Sequence, residues 1–211
     1  MLTNQASRAD DGGVNAGLSA GLGAWLTVNS DKPADGVYGG FNSATGVVAA
    51  YTPGTARALT ETIVRNVSEN VYNQGGDPSI FMSVPTVVRL LSEYLFTSSA
   101  RVATLMSDTG QAAQPVTAKG SVDVFVTDFD VTLDLVPNRI QQPVSAGVAN
   151  AYIIDTAYLE QSFLHGYRTE PLAKTGLADN RQMAVDWTLC VNTQRAHGAI
   201  LDIDTTAAVT A

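Results

Sequence analysis

Apolar residues at Leu59, Ile63, Val67 and Val71 recur every four positions, with Ala56 and Val64 beside them. That spacing lays one apolar stripe along a helix. Thr52 can cap this helix, and Pro53 suits its first position, where an N–H would have no partner anyway. Gly75 and Gly76 predict its end, because glycine accepts the left-handed backbone of a C-cap, and Pro78 bars continuation. Ile80 to Met82 is a short apolar run, read as a buried strand. Ser83 is the expected cap of a second helix, with Pro85 in its first turn and Val87, Val88, Leu91, Tyr94 and Leu95 on its inner face. A helix–strand–helix unit this apolar on one side needs a sheet to cover it.

Further along, Val122, Val124 and Val126 alternate with Asp123, Phe125 and Thr127, and the apolar set then moves to Phe129, Val131, Leu133 and Leu135. A slip of one residue would turn every side chain to the other face, so a turn or bulge is predicted near 127–130. Ala151 to Ile154 reads as a strand, 155–165 as a short helix or irregular segment, and 166–180 as polar turn. Met183, Val185, Trp187, Leu189 and Val191 alternate with smaller or polar residues, which predicts a strand with one buried and one solvated face. Its expected partner is 198–203, across a long hairpin loop. Upstream, 1–8 reads as the last turns of a helix, stopped by Asp10 to Gly13. Residues 14–50 show no period and are predicted to be loop-rich, with weak strands at 24–28 and 46–51. Chain this irregular is expected to lie along a neighbouring surface. Residues 97–118 read as a loop with one helical turn, and the tail from Thr205 as frayed.

Composition narrows the function classes. The 211 residues suffice for one large domain or two small ones. With 45% hydrophobic and only 15% charged residues, much of the surface must be uncharged, a mild sign of contact with other subunits. A net charge of -8 argues against a protein that grips nucleic acid through a basic stripe. The single cysteine, Cys190, excludes an intrachain disulfide framework and a cysteine zinc site, and reads as a packing residue. No apolar run is long enough to span a bilayer. The N-terminus lacks a signal-peptide pattern, and its helix-end character predicts further residues upstream of Met1.

Reactive constellations are sought in vain. Asp123, Asp128, Asp130 and Asp134 invite a metal or acid–base reading, but on the strand alternation Asp130 and Asp134 share a face directed away from the apolar set, as on a solvated strand. His165 and His197 stand in no metal-ligand spacing. No Gly-x-Ser-x-Gly elbow is present, and Lys174-Thr175-Gly176 lacks the partner motifs of penicillin-recognising enzymes. The Gly-rich stretches at Gly12 and Gly36–Gly40 lack the Lys-Ser/Thr of a phosphate loop. A small-molecule enzyme using Asp128, Asp130 and His197 is kept as an alternative; the main expectation is no enzyme, no cofactor and no metal.

Several weak motifs coincide in order. They are Asn4-Gln5-Ala6-Ser7 with the Gly-rich run and Gly21-Leu22-Gly23-Ala24-Trp25; Gly75-Gly76-Asp77-Pro78 after a helix; Thr127-Asp128-Phe129; Asn138-Arg139; Leu172-Ala173-Lys174-Thr175-Gly176; and Ala196-His197-Gly198. In this order the chain resembles the major capsid proteins of tailed bacteriophages, in the branch with the Leu-Ala-Lys-Thr-Gly segment. The resemblance implies an α+β fold of the Hong-Kong-ninety-seven type: an axial domain with a central sheet flanked by helices, and a peripheral domain with a long β-hairpin. Mapped here, 1–46 would be peripheral (the end of the spine helix and a linker), 47–165 axial, and 166–211 the peripheral hairpin. The N-terminal arm, the extended loop and most of the spine helix of that family are expected to be absent. The implied function is self-assembly into the hexamers and pentamers of an icosahedral phage or prophage head that encloses double-stranded DNA without sequence-specific binding. Portal, scaffold or decoration proteins would be further partners, with no membrane. The implied location is the virion, with host cytoplasm during assembly. The alternative within the same fold is an encapsulin-like compartment enclosing enzymes. Arg65, Arg89 and Arg139 are expected subunit-interface residues, since a guanidinium forks onto carboxylates, and Lys174 is a further expected interface residue. Some relatives of this fold form Lys–Asn cross-links; Lys32, Lys119 and Lys174 are the available lysines, and no pair is identified.

Overall fold

A computed structural model of the chain describes residues 4–98, 123–141, 143–174 and 176–210. In chain order its elements are α1 (Leu22–Trp25), β1 (Ser30–Asp31), β2 (Gly40–Asn42), β3 (Val47–Ala49), α2 (Glu61–Asn73), β4 (Ile80–Ser83), α3 (Pro85–Ser98), β5 (Val124–Val126), β6 (Thr132–Pro137), β7 (Val148–Ile154), β8 (Leu159–Pro171), β9 (Arg181–Val191) and β10 (Gly198–Asp204). The architecture is α+β. Six strands form a central mixed sheet in the order β1-β10-β7-β4-β6-β5, β2 and β3 pair separately, and β8 and β9 form a long hairpin of their own.

Both faces of the central sheet are covered. Phe81, Ala151, Ile153 and Ile200 point to the face where α2 and α3 bring Val64, Val67, Val87 and Leu91. Met82, Tyr152, Ile154, Ala199 and Leu201 point to the other face, against Leu22 and Leu26. Burial on two sides is why these strands read as continuous apolar runs rather than as alternation. In β10 the pairing with β7 shifts between Ile200 and Ile203. The bulge returns Ile203 to the α2–α3 face with Ile200.

The α2 stripe is as expected, with Leu59, Val64, Val67 and Val71 buried. The helix starts eight residues later than the Thr52 cap predicted. Its cap is Thr60, whose hydroxyl accepts from the Ile63 N–H at 3.2 Å. Residues 52–57 are held extended instead: Thr52 pairs with Val37, and the Arg57 N–H donates to the Asp202 carbonyl at 2.9 Å. Tertiary pairing thus overrides a local start signal. The end of α2 follows expectation. Gly75 has φ +86, and the N–H groups of Gly75 and Gly76 donate to the Tyr72 and Val71 carbonyls, closing the last turn. Thr60→Ala is expected to cost about 1 kcal/mol through loss of the cap, read as a lowered urea midpoint at unchanged slope.

Other expectations need correction. Ser83 does not cap α3; it is the last residue of β4 and its hydroxyl donates to the Asn150 carbonyl at 2.8 Å. Residues 4–7 are not helical, and Asn4 clamps Tyr51 through both its amide atoms. Of the stretch 24–28, the first two residues close the one-turn helix α1 and no strand forms. The turn at 127–130 is present, with Asp130 at φ 66, but β5 turns Phe125 inward and leaves Val124 and Val126 exposed. Only one face of this edge strand meets the core, and the aromatic ring fills it. After a 3₁₀ turn at Thr156–Tyr158, residues 159–165 are strand β8. β9 pairs with β8, while 198–203, its expected partner, is β10 and lies between β1 and β7 in the central sheet. The hairpin therefore spans 159–191 rather than 166–211. The tail is anchored: Val209 is buried, and the Glu61 N–H donates to the Thr210 carbonyl at 2.9 Å. Of the predicted loop at 97–118, residues 99–118 lie outside the described residues, as does Lys119.

Candidate assembly surfaces

The β8–β9 hairpin is the largest departure from a buried apolar pattern. Its strands pair from Leu159↔Val191 to Pro171↔Arg181, with two register irregularities between Phe163 and Arg168. At the base, Leu159, Leu189 and Val191 pack onto the α1-side core. Beyond the base, both faces are open. Leu164 is 80% exposed, Tyr167 73% and Met183 69%, and Phe163, Trp187 and Leu172 are also exposed. On the expected half-buried face of β9, Met183 and Trp187 are therefore left uncovered by the described residues. A groove of about 450 Å³ lined by Ser162, Phe163, Leu164, Asp186, Trp187 and Thr188 crosses the ribbon. His165 Nδ1 lies 3.1 Å from the Asp186 carboxylate across the register shift. A two-stranded ribbon with such side chains in water is marginal by itself, and exposed apolar area on this scale marks an interaction surface.

The four predicted interface residues do not cluster. Arg65 is engaged inside the chain: it contacts Glu61 at 2.5 Å and Asp128 at 2.7 Å and stacks over the Phe125 ring. Although burial would raise the Glu61 pKa, the Tyr94 hydroxyl and Arg65 together hold it below its ordinary value. Arg89 follows Val88 on the outer side of α3, Arg139 follows β6, and Lys174 lies at the hairpin tip. All three are exposed and form no ion pair among the described residues.

The candidate acid–base set does not form a site. Asp128 is paired with Arg65, Asp130 occupies the tight turn, and His197 is fully buried. Among the described residues, no group of three or more His, Cys, Asp or Glu side chains is placed to hold a metal ion, and no helix is long and apolar enough to cross a membrane. Cys190 is half-buried in β9, with its sulfur 3.4 Å from the Ser162 hydroxyl.

One polar constellation was missed by sequence reasoning. Asp202 is wholly buried in the β10 bulge at φ 56. Its carboxylate accepts from the Tyr51 hydroxyl at 2.5 Å and from the Gly54 N–H at 2.8 Å, while its own N–H donates to Asn150 Oδ1 at 2.9 Å. Burial, and then Asp202 itself, push the Tyr51 phenol well above the ordinary tyrosine range. Arg57, ion-paired with Asp31, adds a favourable charge close by. The group ties the loop-rich N-terminal third to the sheet. The positive φ of an aspartate in a strand leaves no local sequence signal; only the run Leu201-Asp202-Ile203, a charge inside an apolar stretch, hints at it.

No curated protein sequence matches the chain. Among solved structures, the chain is similar to a protein of the holo-SrpI encapsulin complex from Synechococcus elongatus PCC 7942, at 12% identity and a TM-score of 0.43. That alignment covers 72% of this chain, which spans about half (52%) of the encapsulin chain. The family model described as SU10 major capsid protein matches residues 1–204. A match over nearly the whole length, on a sheet-centred α+β body with a separate long hairpin, places the sequence: the chain belongs to the SU10 major capsid protein family.

Proposed function

We propose that this chain is a structural subunit that acts by assembling with copies of itself into a closed icosahedral shell, and that it catalyses no reaction. The observation that carries the reading is the β8–β9 hairpin, whose large apolar side chains stand in water on both faces. Identical subunits in closed symmetry would cover them without a new partner type. Hexamers and pentamers enclosing double-stranded DNA are the expected assembly, formed in host cytoplasm and retained in the virion. A lumen lined by a protein of net charge -8 would hold nucleic acid without gripping it. Portal, scaffold and decoration proteins are the proposed further partners.

A peripheral part at 1–46 and an axial part at 47–158, shortened from 47–165 because β8 begins at Leu159, are the proposed division. The hairpin itself, at 159–191, is the proposed peripheral element of the C-terminal portion, with β10 lending its strand to the axial sheet. Arg89, Arg139 and Lys174 are proposed as interface cations. Arg65 would contribute there only by exchanging its present carboxylates for a neighbour's. Negative-stain electron microscopy of the purified full-length protein under assembly conditions tests the reading. Closed shells are expected, and a field of dispersed monomers would overturn it.

A further inference from the structure

Both strands of the hairpin join the central sheet at one place. β7 ends at Ile154, and Asp155 leads through the 3₁₀ turn into β8; after β9, the chain returns through Gln194–Ala196 and His197 into β10. His197 is fully buried at this junction. The Asp155 N–H donates to His197 Nδ1 at 3.3 Å. A ring nitrogen that accepts carries no proton, so the neutral ring is protonated at Nε2. The Asp155 carboxylate is already engaged, accepting from the Asp77 N–H at 3.1 Å and the Ala157 N–H at 2.9 Å.

The two sides of the junction differ in how firmly they are held. On the return side, Gly198 packs so closely on α2 that a Cβ would run into Val67 Cγ1, and a Cβ on Gly76 would lie 2.8 Å from the Ala196 Cα. Asn29 adds a bond from its side-chain amide to the Arg195 carbonyl at 2.8 Å. The exit side depends on polar bonds centred on Asp155. We propose that His197 is a positioning residue for the hairpin: neutral, it holds the start of β8 against the start of β10; protonated, it releases Asp155 and lets the hairpin change its angle to the central sheet. The consequence for shells rests on the assembly reading above; the hinge itself does not.

Protonation at Nδ1 would set an N–H against the Asp155 N–H and place a charge in a buried site. Burial pushes the His197 pKa below its ordinary value, outweighing the Asp155 carboxylate and the Tyr158 backbone, which favour the charged ring. The other charged groups around the junction are Asp77, behind Asp155, and Arg195, in the preceding turn. From α2 the packed neighbours are the neutral Val67 and Val71, and beside β1 the neutral Asn29. Because the folded pKa lies below the unfolded one, the latch is at full strength above about pH 6.5 and is lost as the pH falls through the depressed folded value.

Hydrogen exchange of the full chain, corrected for intrinsic pH dependence, tests this by comparing peptides over 155–160 and 190–196 with one over 64–71 in α2. As the pH falls from about 7 through the depressed folded value, the junction peptides are expected to exchange faster relative to α2, by up to about tenfold per pH unit for one linked proton. His197→Gln, which cannot take up a proton, is expected to abolish that response. An equal change in all three peptides, no change, or an unaltered response in His197→Gln would overturn the proposal. If the variant does not fold, the ring nitrogen resonances of the unaltered chain decide: a proton on Nε2 at neutral pH supports the latch, and one on Nδ1 refutes it. A responsive hinge in a chain that forms no shells would sink the assembly reading alone. Shells with an unresponsive hinge would sink the latch alone.

Discussion

Replacing residues 163–187 by a two-residue Asn-Gly turn is expected to leave a subunit that folds and no longer assembles. The cut keeps Leu159–Ser162 and Thr188–Val191, which are already in register. Asn-Gly suits the tight turn that then joins them. The base residues Leu159, Leu189 and Val191 stay in the α1-side core, and the α2–α3 core contains nothing from the hairpin. The urea midpoint of the monomer should therefore be little changed. What is lost is the exposed set Leu164, Tyr167 and Met183 with its neighbours. Covering one such side chain at an interface contributes about 1.5–3 kcal/mol. The milder pair Leu164→Asp and Tyr167→Asp should accordingly raise the protein concentration needed for assembly by about a hundredfold or more. Light scattering reads the threshold. Shells that form as readily from the shortened chain would show that the hairpin is not the contact surface.

Asp202→Ala is expected to be the most destabilising single substitution outside the apolar core, at about 3–5 kcal/mol. Three losses coincide. The Tyr51 hydroxyl and the Gly54 N–H lose their acceptor, and a buried donor left unpaired costs about 1–3 kcal/mol. Arg57 loses a stabilising charge nearby. Alanine must also adopt the left-handed backbone at φ 56, a conformation that aspartate and asparagine tolerate better. Asp202→Asn separates these effects, since it keeps the size and the tolerance for positive φ while removing the charge. It should recover part of the loss. Chemical denaturation of the unassembled subunit measures both variants. Equal midpoints for the wild type and Asp202→Ala would mean that the polar group is incidental to stability.

How much of this was legible beforehand varied with the range of the forces involved. The stripe of α2, its glycine stop, the buried run at Ile80–Met82, the inner face of α3 and the turn at 127–130 could all be read from residues a few positions apart. Periodicity, cap chemistry and backbone freedom act locally, and nothing distant opposed them. The ordered motifs also led to the capsid family that the full-length match supports, although no single motif would have sufficed.

Pairing partners could not be read in this way. An alternating strand specifies its own two faces but not which other strand lies beside it, so β9 was assigned to β10 when it pairs with β8. The Thr52-Pro53 start signal was outweighed by strand-like pairing of Thr52 with Val37 and of Arg57 with Asp202, contacts 15 and 145 residues away in sequence. Asp202 gives no functional signal in the sequence and His197 enters only as part of an alternative catalytic set; the tertiary structure buries both. The sequence by itself determined the apolar stripes of α2 and α3, the glycine stop of α2, the turn at 127–130 and the family. The fold alone decided which strands pair, which polar groups meet in the interior and which apolar face is left for a neighbour, because those outcomes depend on the free energy of bringing together segments that carry no local record of one another.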